Sequence, residues 1–454
     1  MKTIDSVNPY SGVPLESYPA FDLTTLDTTL IAGVGAQRQW SLTAVAARTS
    51  VLMALAQQLR QQQERLARLA TLEMGKTLAS ARAEIEKCAW VCEYYAEHGP
   101  AMIAEESVAG DDDLQRLICY QPLGLVLAIM PWNFPYWQVF RFLAPALMAG
   151  NGAILKHASN VPGCALAIES LCREAGVPDD LFRTLLVSGR HASVLIEHPL
   201  ISAVTFTGST AAGREIAATA GRHLKKTVLE LGGSDAYLVL DDADVDLAVE
   251  KCVTSRLLNN GQSCIAAKRF IVHDSLYGKF AAAMASAMSR QVVGDPLEEG
   301  TDIGPQARED LCRELAGQVE ESVRLGAVLV SGGQSDRAMF WPTVLGEVRP
   351  GMPAFDEELF GPVAALIRAR SDDEAIALAN QSVFGLGSAV FTRDLSRGKR
   401  VALALEAGAC AVNDFVKSDP RMPFGGIKAS GYGRELAGFG LREFTNIKSL
   451  VISP

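Results

Sequence analysis

Between Thr43 and Glu97 apolar residues return every three or four positions. Val51, Leu52, Leu55 and Leu59 form one stripe, and Leu66, Leu69 and Leu72 continue it, the signature of helix rather than strand. Gly75 predicts a break. Ala79–Tyr95 then resumes with Ile85, Cys88, Ala89 and Cys92 on one face, a pattern whose ordinary use is core packing. Ahead of this region, residues 5–20 are punctuated by Pro and Gly and predict a short hairpin or extended lead-in. Behind it, Glu105–Gln121 predicts an exposed turn joining two strands, with Asp111, Asp112 and Asp113 at its tip. Three adjacent acids suit a divalent cation on occasion, but a solvated loop is their usual setting.

From Leu123 the pattern changes to short apolar runs separated by helical stretches. Leu125–Met130, Gly152–Lys156, Leu181–Val187, Ala203–Phe206 and Thr227–Leu229 predict buried strands. Helices are predicted near Val139–Met148, Gly163–Ala175, His191–Ile196 and Ala211–Ala220. After Asp246 a second series begins, with a helix to Leu258, a strand at Lys268–His273 and a helix over Leu276–Val292. Further strands fit Ala327–Ser331, Val363–Arg368, Gly387–Thr392 and Ala409–Asn413. Alternation of this kind predicts an α/β fold with mostly parallel sheets covered by helices.

At 454 residues the chain exceeds what one hydrophobic core fills, so two or more domains are expected. Its formal net charge of −10 argues against nucleic acid or an anionic membrane as partner. No apolar run resembles a membrane span. Nine cysteines without a Cys-x-x-Cys pair form no disulfide framework, and the six histidines show no ligand spacing, so no metal is expected. The expected setting is a reducing cytoplasm.

Three stretches carry candidate chemistry. Cys264 follows Gly261-Gln262-Ser263, where small residues leave a thiol open to a ligand. Glu230 precedes Leu231-Gly232-Gly233, and Asn133 stands between two prolines in Pro131-Trp132-Asn133-Phe134-Pro135. Taken singly, the three residues would more often be a small buried apolar group, a surface or paired carboxylate and a turn former. A thiol, a carboxylate and a rigidly held amide together suit nucleophilic attack on a carbonyl, with a base and an oxyanion donor. Thr207-Gly208-Ser209-Thr210 joins a predicted strand to a predicted helix, which suits a phosphate; a plain capped turn is the simpler use. Lys156 ends a predicted strand, where ligands sit in open parallel sheets.

With these motifs, and with Glu357-Glu358-Leu359-Phe360-Gly361-Pro362 and Pro423-Phe424-Gly425-Gly426 in the same order, the chain resembles the aldehyde dehydrogenases over its full length. It is most similar to the shorter bacterial NAD(P)-dependent succinate-semialdehyde dehydrogenases. The resemblance implies a Rossmann-like cofactor domain over residues 1–104 and 122–231 and an α/β catalytic domain over 232–433. It also implies a small β oligomerisation arm and tail over 105–121 and 434–454, and a homodimer or homotetramer. It makes Cys264 the nucleophile that carries a thioester, Glu230 the general base that activates water, and Asn133 the oxyanion donor beside the Cys264 amide. Gly208 and Ser209 match the cofactor-phosphate turn, Lys156 the adenosine-ribose contact and Glu358 the nicotinamide-ribose contact. Trp132, Leu231 and Phe360 match positions near the cofactor.

For the substrate, Arg141 matches a residue that faces the distal carboxylate of succinate semialdehyde, and an Arg fork suits a carboxylate. An Arg tied to a structural Asp or Glu is the competing use. Trp137, Ser418 and Asp419 are expected in the same tunnel; Lys417 and Ser418 favour an anion, and Asp419 opposes one unless paired. Uncharged aliphatic or aromatic aldehydes are the alternative substrates. Ser159 stands where many strictly NAD-using relatives carry an acid, so both NAD and NADP are expected to serve.

Overall fold

Five of the predicted buried runs form the parallel part of one six-stranded sheet. In the computed structural model, which describes residues 3–110 and 112–454, its order is Gly431–Tyr432, Lys226–Glu230, Ile201–Thr207, Leu125–Met130, Gly152–His157 and Phe182–Thr184. Only the two-residue edge strand runs antiparallel. The earliest of these strands, Leu125–Met130, lies inside the sheet, so the order reverses between it and Ile201–Thr207. Their carboxyl ends open into Pro131-Trp132-Asn133 and Gly208-Ser209, and a crevice at such a switch point is the usual ligand site of an open parallel sheet.

A seven-stranded sheet follows in the order Val328–Ser331, Thr343–Gly346, Val363–Ala369, Arg269–His273, Ala236–Val239, Gly387–Phe391 and Ala409–Val412. All neighbours are parallel except the outermost pair at Val328–Ser331. Cys264 lies just before Arg269–His273, and Glu358 and Phe360 lie just before Val363–Ala369. The functional loops therefore leave the carboxyl edge of one sheet and the amino edge of the other. Two strands of this sheet, Ala236–Val239 and Thr343–Gly346, escaped the sequence reading.

The helical region is Val45–Gln61, Gln63–Met74 and Leu78–Met102, broken at Gly75, whose φ of 82° stops the second helix in the left-handed region. A further helix, Leu26–Leu42, was not expected. Thr28, Thr29, Gly33 and Gly35 lower its intrinsic propensity, yet it buries Leu26, Leu30, Gly33, Gln37 and Trp40 at helical spacing. Gly33 lets it approach the sheet closely, since a Cβ there would lie 3.1 Å from the Leu125 side chain.

The helix Trp137–Met148 is buried at every position. An apolar helix can afford that, but Arg141 lies in its middle, and a cation so placed needs a partner. Between the hairpin Thr3–Val7/Pro14–Pro19 and the carboxyl end, a third sheet pairs Thr445–Ile452 with Gln115–Pro122 and Glu106–Ser107. Its Ile447 and Val451 are exposed. Asp112 is bound by Arg116 at 2.6 Å, and Asp111 lies outside the described residues. Among the described residues no helix is long and apolar enough to cross a membrane.

Candidate active site

The segment carrying the thiol is fixed from both sides. After the helix Val245–Leu257, Asn259, Asn260 and Gly261 take left-handed conformations in succession, with φ of 58°, 57° and 75°. Asn and Gly are the residues that accept this most readily. The Asn259 amide donates to the carbonyls of Asn133 (2.7 Å) and Gln262 (3.1 Å), and that of Asn260 donates to Gly75 (2.9 Å) and Pro305 (3.0 Å). Beyond the thiol, the buried Lys268 ammonium donates to the carbonyls of Ser263 (3.0 Å) and Cys264 (2.7 Å).

Asn133 is held as firmly. Its Nδ2 donates to the Gln262 carbonyl at 3.1 Å, which ties the amide to the thiol loop. Glu84 Oε1 accepts from the backbone N–H groups of Tyr136 and Trp137, both at 2.8 Å, while Oε2 is paired with the buried Lys76. His157 Nε2 donates to the Pro135 carbonyl at 2.8 Å; burial pushes this imidazole down to about 4, so it is neutral. Glu84, Lys76 and His157, read in the sequence as packing or not at all, hold the segment that carries the amide.

Glu230 ends the strand Lys226–Glu230, almost fully withdrawn from water. Neither carboxylate oxygen has a hydrogen-bond partner among the described residues. Gly425 leaves the room: a Cβ there would lie 2.6 Å from Oε1. Burial, opposed by Arg141, holds this carboxyl well above its ordinary range. Such a group is a strong base once ionised.

Two cavities meet at Cys264. The first, of about 490 Å³, is bounded by Trp132, Gly208, Ser209, Leu231, Glu358 and Phe360. Ser209 caps the helix Thr210–Arg222, accepting from the Ala212 N–H at 3.4 Å, and a Cβ on Gly208 would lie 2.5 Å from the Phe206 ring. The rings of Trp132 and Phe360 meet edge to face, 5.8 Å apart. Glu358 accepts from the Gly233 N–H at 3.0 Å and pairs with Lys268 at 3.3 Å. A helix amino terminus open to an anion, next to an apolar slot, fits a dinucleotide. Lys156 and Ser159 do not line this cavity. Lys156 is buried at the end of its strand, which lowers its ammonium, and Ser159 is exposed two residues beyond that strand.

The second cavity, of about 360 Å³, is bounded by Phe134, Trp137, Arg141, Ser418, Phe424 and Lys87. Arg141 is present, but its guanidinium contacts the carboxylate of Glu435, hydrogen-bonds Thr207 Oγ1 at 3.3 Å and lies over the Phe424 ring. The buried cation thus has its partner, and the free fork expected from the sequence is committed to Glu435. Asp419 is also corrected: it does not line the cavity, and its carboxylate is held by Arg421 at 2.6 Å. Lys417 is likewise turned to Asp414, at 2.7 Å.

Cys264 and Asn133 bound the first cavity together, whereas Glu230 lines neither cavity and reaches the thiol through its charge. Burial pushes the Cys264 thiol up to about 12; Arg141 and Lys268 oppose the rise, and Glu358 and Glu230 add to it. At neutral pH the group is therefore a thiol. Lys87 carried no separate signal in the sequence, being one charged position on a helix whose period spoke only of packing.

The chain is similar to known proteins over nearly its whole length. The model of the aldehyde dehydrogenase family matches residues 1–450. The chain is 46% identical to a probable succinate-semialdehyde dehydrogenase [NADP(+)] of Synechocystis sp., covering 99% of this chain and 100% of that one. It is 44% identical to a succinate semialdehyde dehydrogenase [NAD(P)+] of Escherichia coli, covering 98% and 97%. The crystal structure of succinic semialdehyde dehydrogenase from Streptococcus pyogenes in complex with NADP+ superposes with a TM-score of 0.97 at 34% identity, covering 99% and 100%.

Proposed function

Starting from the fact that this chain belongs to the aldehyde dehydrogenase family, we propose that it oxidises succinate semialdehyde to succinate with NADP or NAD. The observation that carries the reading is that one thiol, Cys264, bounds two cavities, one suited to a dinucleotide and the other holding buried cations.

Gly208, Ser209, Trp132, Glu358 and Phe360 would hold the dinucleotide, with Lys156 and Ser159 toward its adenosine end. Cys264 gives up its proton to solvent, with the nearby positive charges of Arg141 and Lys268 favouring the thiolate. Sγ then adds to the aldehyde carbon. The new alkoxide is received by the Asn133 amide and the Cys264 backbone N–H, donors that need no reorganisation because their loops are already fixed. The bound dinucleotide supplies the acceptor for hydride from that carbon. Cys264 is left carrying an acyl thioester. Glu230 removes a proton from water, water attacks the thioester, and Sγ leaves as the acid departs.

The curated relatives named above, with NADP(+) or NAD(P)+ in their names, support the cofactor and the substrate. Nine free cysteines support a reducing, cytoplasmic setting. The exposed apolar edge at Ile447 and Val451 supports assembly into at least a dimer. A substrate panel followed by reduced-nicotinamide absorbance tests the proposal. Succinate semialdehyde should give a kcat/KM well above that of butanal or hexanal; equal values would refute it.

A further inference from the structure

Three cations stand near the aldehyde cavity, Arg141 and Lys87 in its lining and Lys268 beside the thiol, and two are already committed. Arg141 is held by Glu435 and Thr207, and Lys268 by two carbonyls and Glu358. The third is Lys87, on the helix Leu78–Met102. Its ammonium donates to Ser418 Oγ at 2.6 Å and lies 4.2 Å from the centre of the Trp137 ring. No described carboxylate stands within ion-pair distance of it.

The acids acting on Lys87, Glu84 and Asp419, are engaged elsewhere, and Asp302, which also lines the cavity, accepts from the Val292 N–H at 2.9 Å. Glu84, on the same helix, accepts from Tyr136 and Trp137 and pairs with Lys76. Asp419, on the loop opposite, is held at both oxygens by Arg421. Cys88 is a buried thiol on the same helix, and Arg141 faces Lys87 from the helix Trp137–Met148 with its own positive charge. An ammonium carries three donors, and only one is used. A half-buried, unpaired cation beside a hydroxyl is a poor structural device, because burial without a counter-charge is costly. It is a good receptor for an incoming anion.

We propose that Lys87 and Ser418 bind the distal carboxylate of an ω-carboxyl aldehyde whose carbonyl meets Cys264, while Arg141 contributes its field from within the Glu435 pair. This rests on the substrate reading above and assigns its charge recognition to a different residue. Burial and the nearby Arg141 bring the ammonium down to about 8. It is therefore charged at neutral pH and titrates within the range of an ordinary assay. A bound carboxylate favours the charged form.

The test compares succinate semialdehyde with butanal in wild type, Lys87→Met and Lys87→Arg. In wild type the kcat/KM ratio should favour the charged aldehyde. In Lys87→Met that ratio should fall by about 10- to 100-fold, as for a lost charge-assisted hydrogen bond, and the loss should appear in KM rather than kcat. Lys87→Arg should keep most of the ratio. In wild type the KM for succinate semialdehyde should also rise above about pH 8 while that for butanal does not, and Lys87→Arg should abolish the rise. A wild type that fails to discriminate the two aldehydes overturns the substrate reading. A wild type that discriminates, with Lys87→Met keeping the ratio or with a KM flat through pH 9, overturns the role of Lys87 alone. A purely structural Lys87 would move both aldehydes together.

Discussion

The guanidinium of Arg141 and the carboxylate of Glu435 form an ion pair whose side chains are 2% and 4% exposed. The two residues stand almost 300 positions apart, one inside an otherwise apolar helix and the other just past the Gly431–Tyr432 edge strand. Among the described residues neither charge makes a second ion pair, so each is the main condition for the other's burial.

Removing one partner is therefore expensive, and unequally so. Burial already raises the Glu435 carboxyl, so in Arg141→Met it can take up a proton and remain neutral. In Glu435→Gln the guanidinium has no such escape. Glu435→Gln should lose about 3 kcal/mol or more of stability, and Arg141→Met should lose less. Urea unfolding at neutral pH compares them, and the double variant should regain part of the loss.

Glu230 predicts opposite trends for activity and stability with pH. As a base it works only when ionised, so turnover should fall as pH drops through its raised value. Its folded-state value lies above that of the unfolded chain, so its contribution to stability is full below the ordinary carboxylate range. That contribution is lost as pH rises through the raised value. Glu230→Gln should then show a higher Tm than wild type at pH 8 and a smaller difference at pH 5. A constant difference across that range would count against the assignment.

Asn133→Ala removes an amide that is tied to Gln262 and to the loop of the thiol. By the cost of one oxyanion donor elsewhere, kcat should fall by roughly 100-fold, about 3 kcal/mol. KM should change little, because the amide meets charge only after attack. Steady-state kinetics separate the two constants.

Much of this arrangement was legible before the structure. The strands Leu125–Met130 and Gly152–His157 and the helix Leu78–Met102 announce themselves because long, regular patterns survive any tertiary context. The candidate thiol, amide and carboxylate stand out through their Gly- and Pro-rich settings and the family likeness. Partnership across the fold was not legible. That Arg141 belongs to Glu435, or Asp419 to Arg421, depends on where chain segments come to rest. Lys87 was hidden for the same reason: only the fold shows that, of the two cations lining the aldehyde cavity, it is the one without an ion pair among the described residues. The helix Leu26–Leu42 was missed because burial, not propensity, maintains it.

On the proposed reading, cofactor breadth depends on Ser159, exposed two residues past the strand Gly152–His157. A carboxylate there would face a 2′-phosphate and repel it. Ser159→Glu should lower kcat/KM for NADP by about two orders of magnitude and leave NAD-supported turnover comparatively intact. Initial rates with each dinucleotide check this.

In the proposed reaction Cys264 carries the acyl group until Glu230 activates water. Mixing Glu230→Gln with succinate semialdehyde and NADP, then quenching in acid for peptide mass mapping, observes that species directly. The expected result is one equivalent of reduced nicotinamide and a succinyl increment on the peptide containing Cys264. Reduced nicotinamide formed with that peptide unmodified, or with the acyl group on another cysteine, would contradict it.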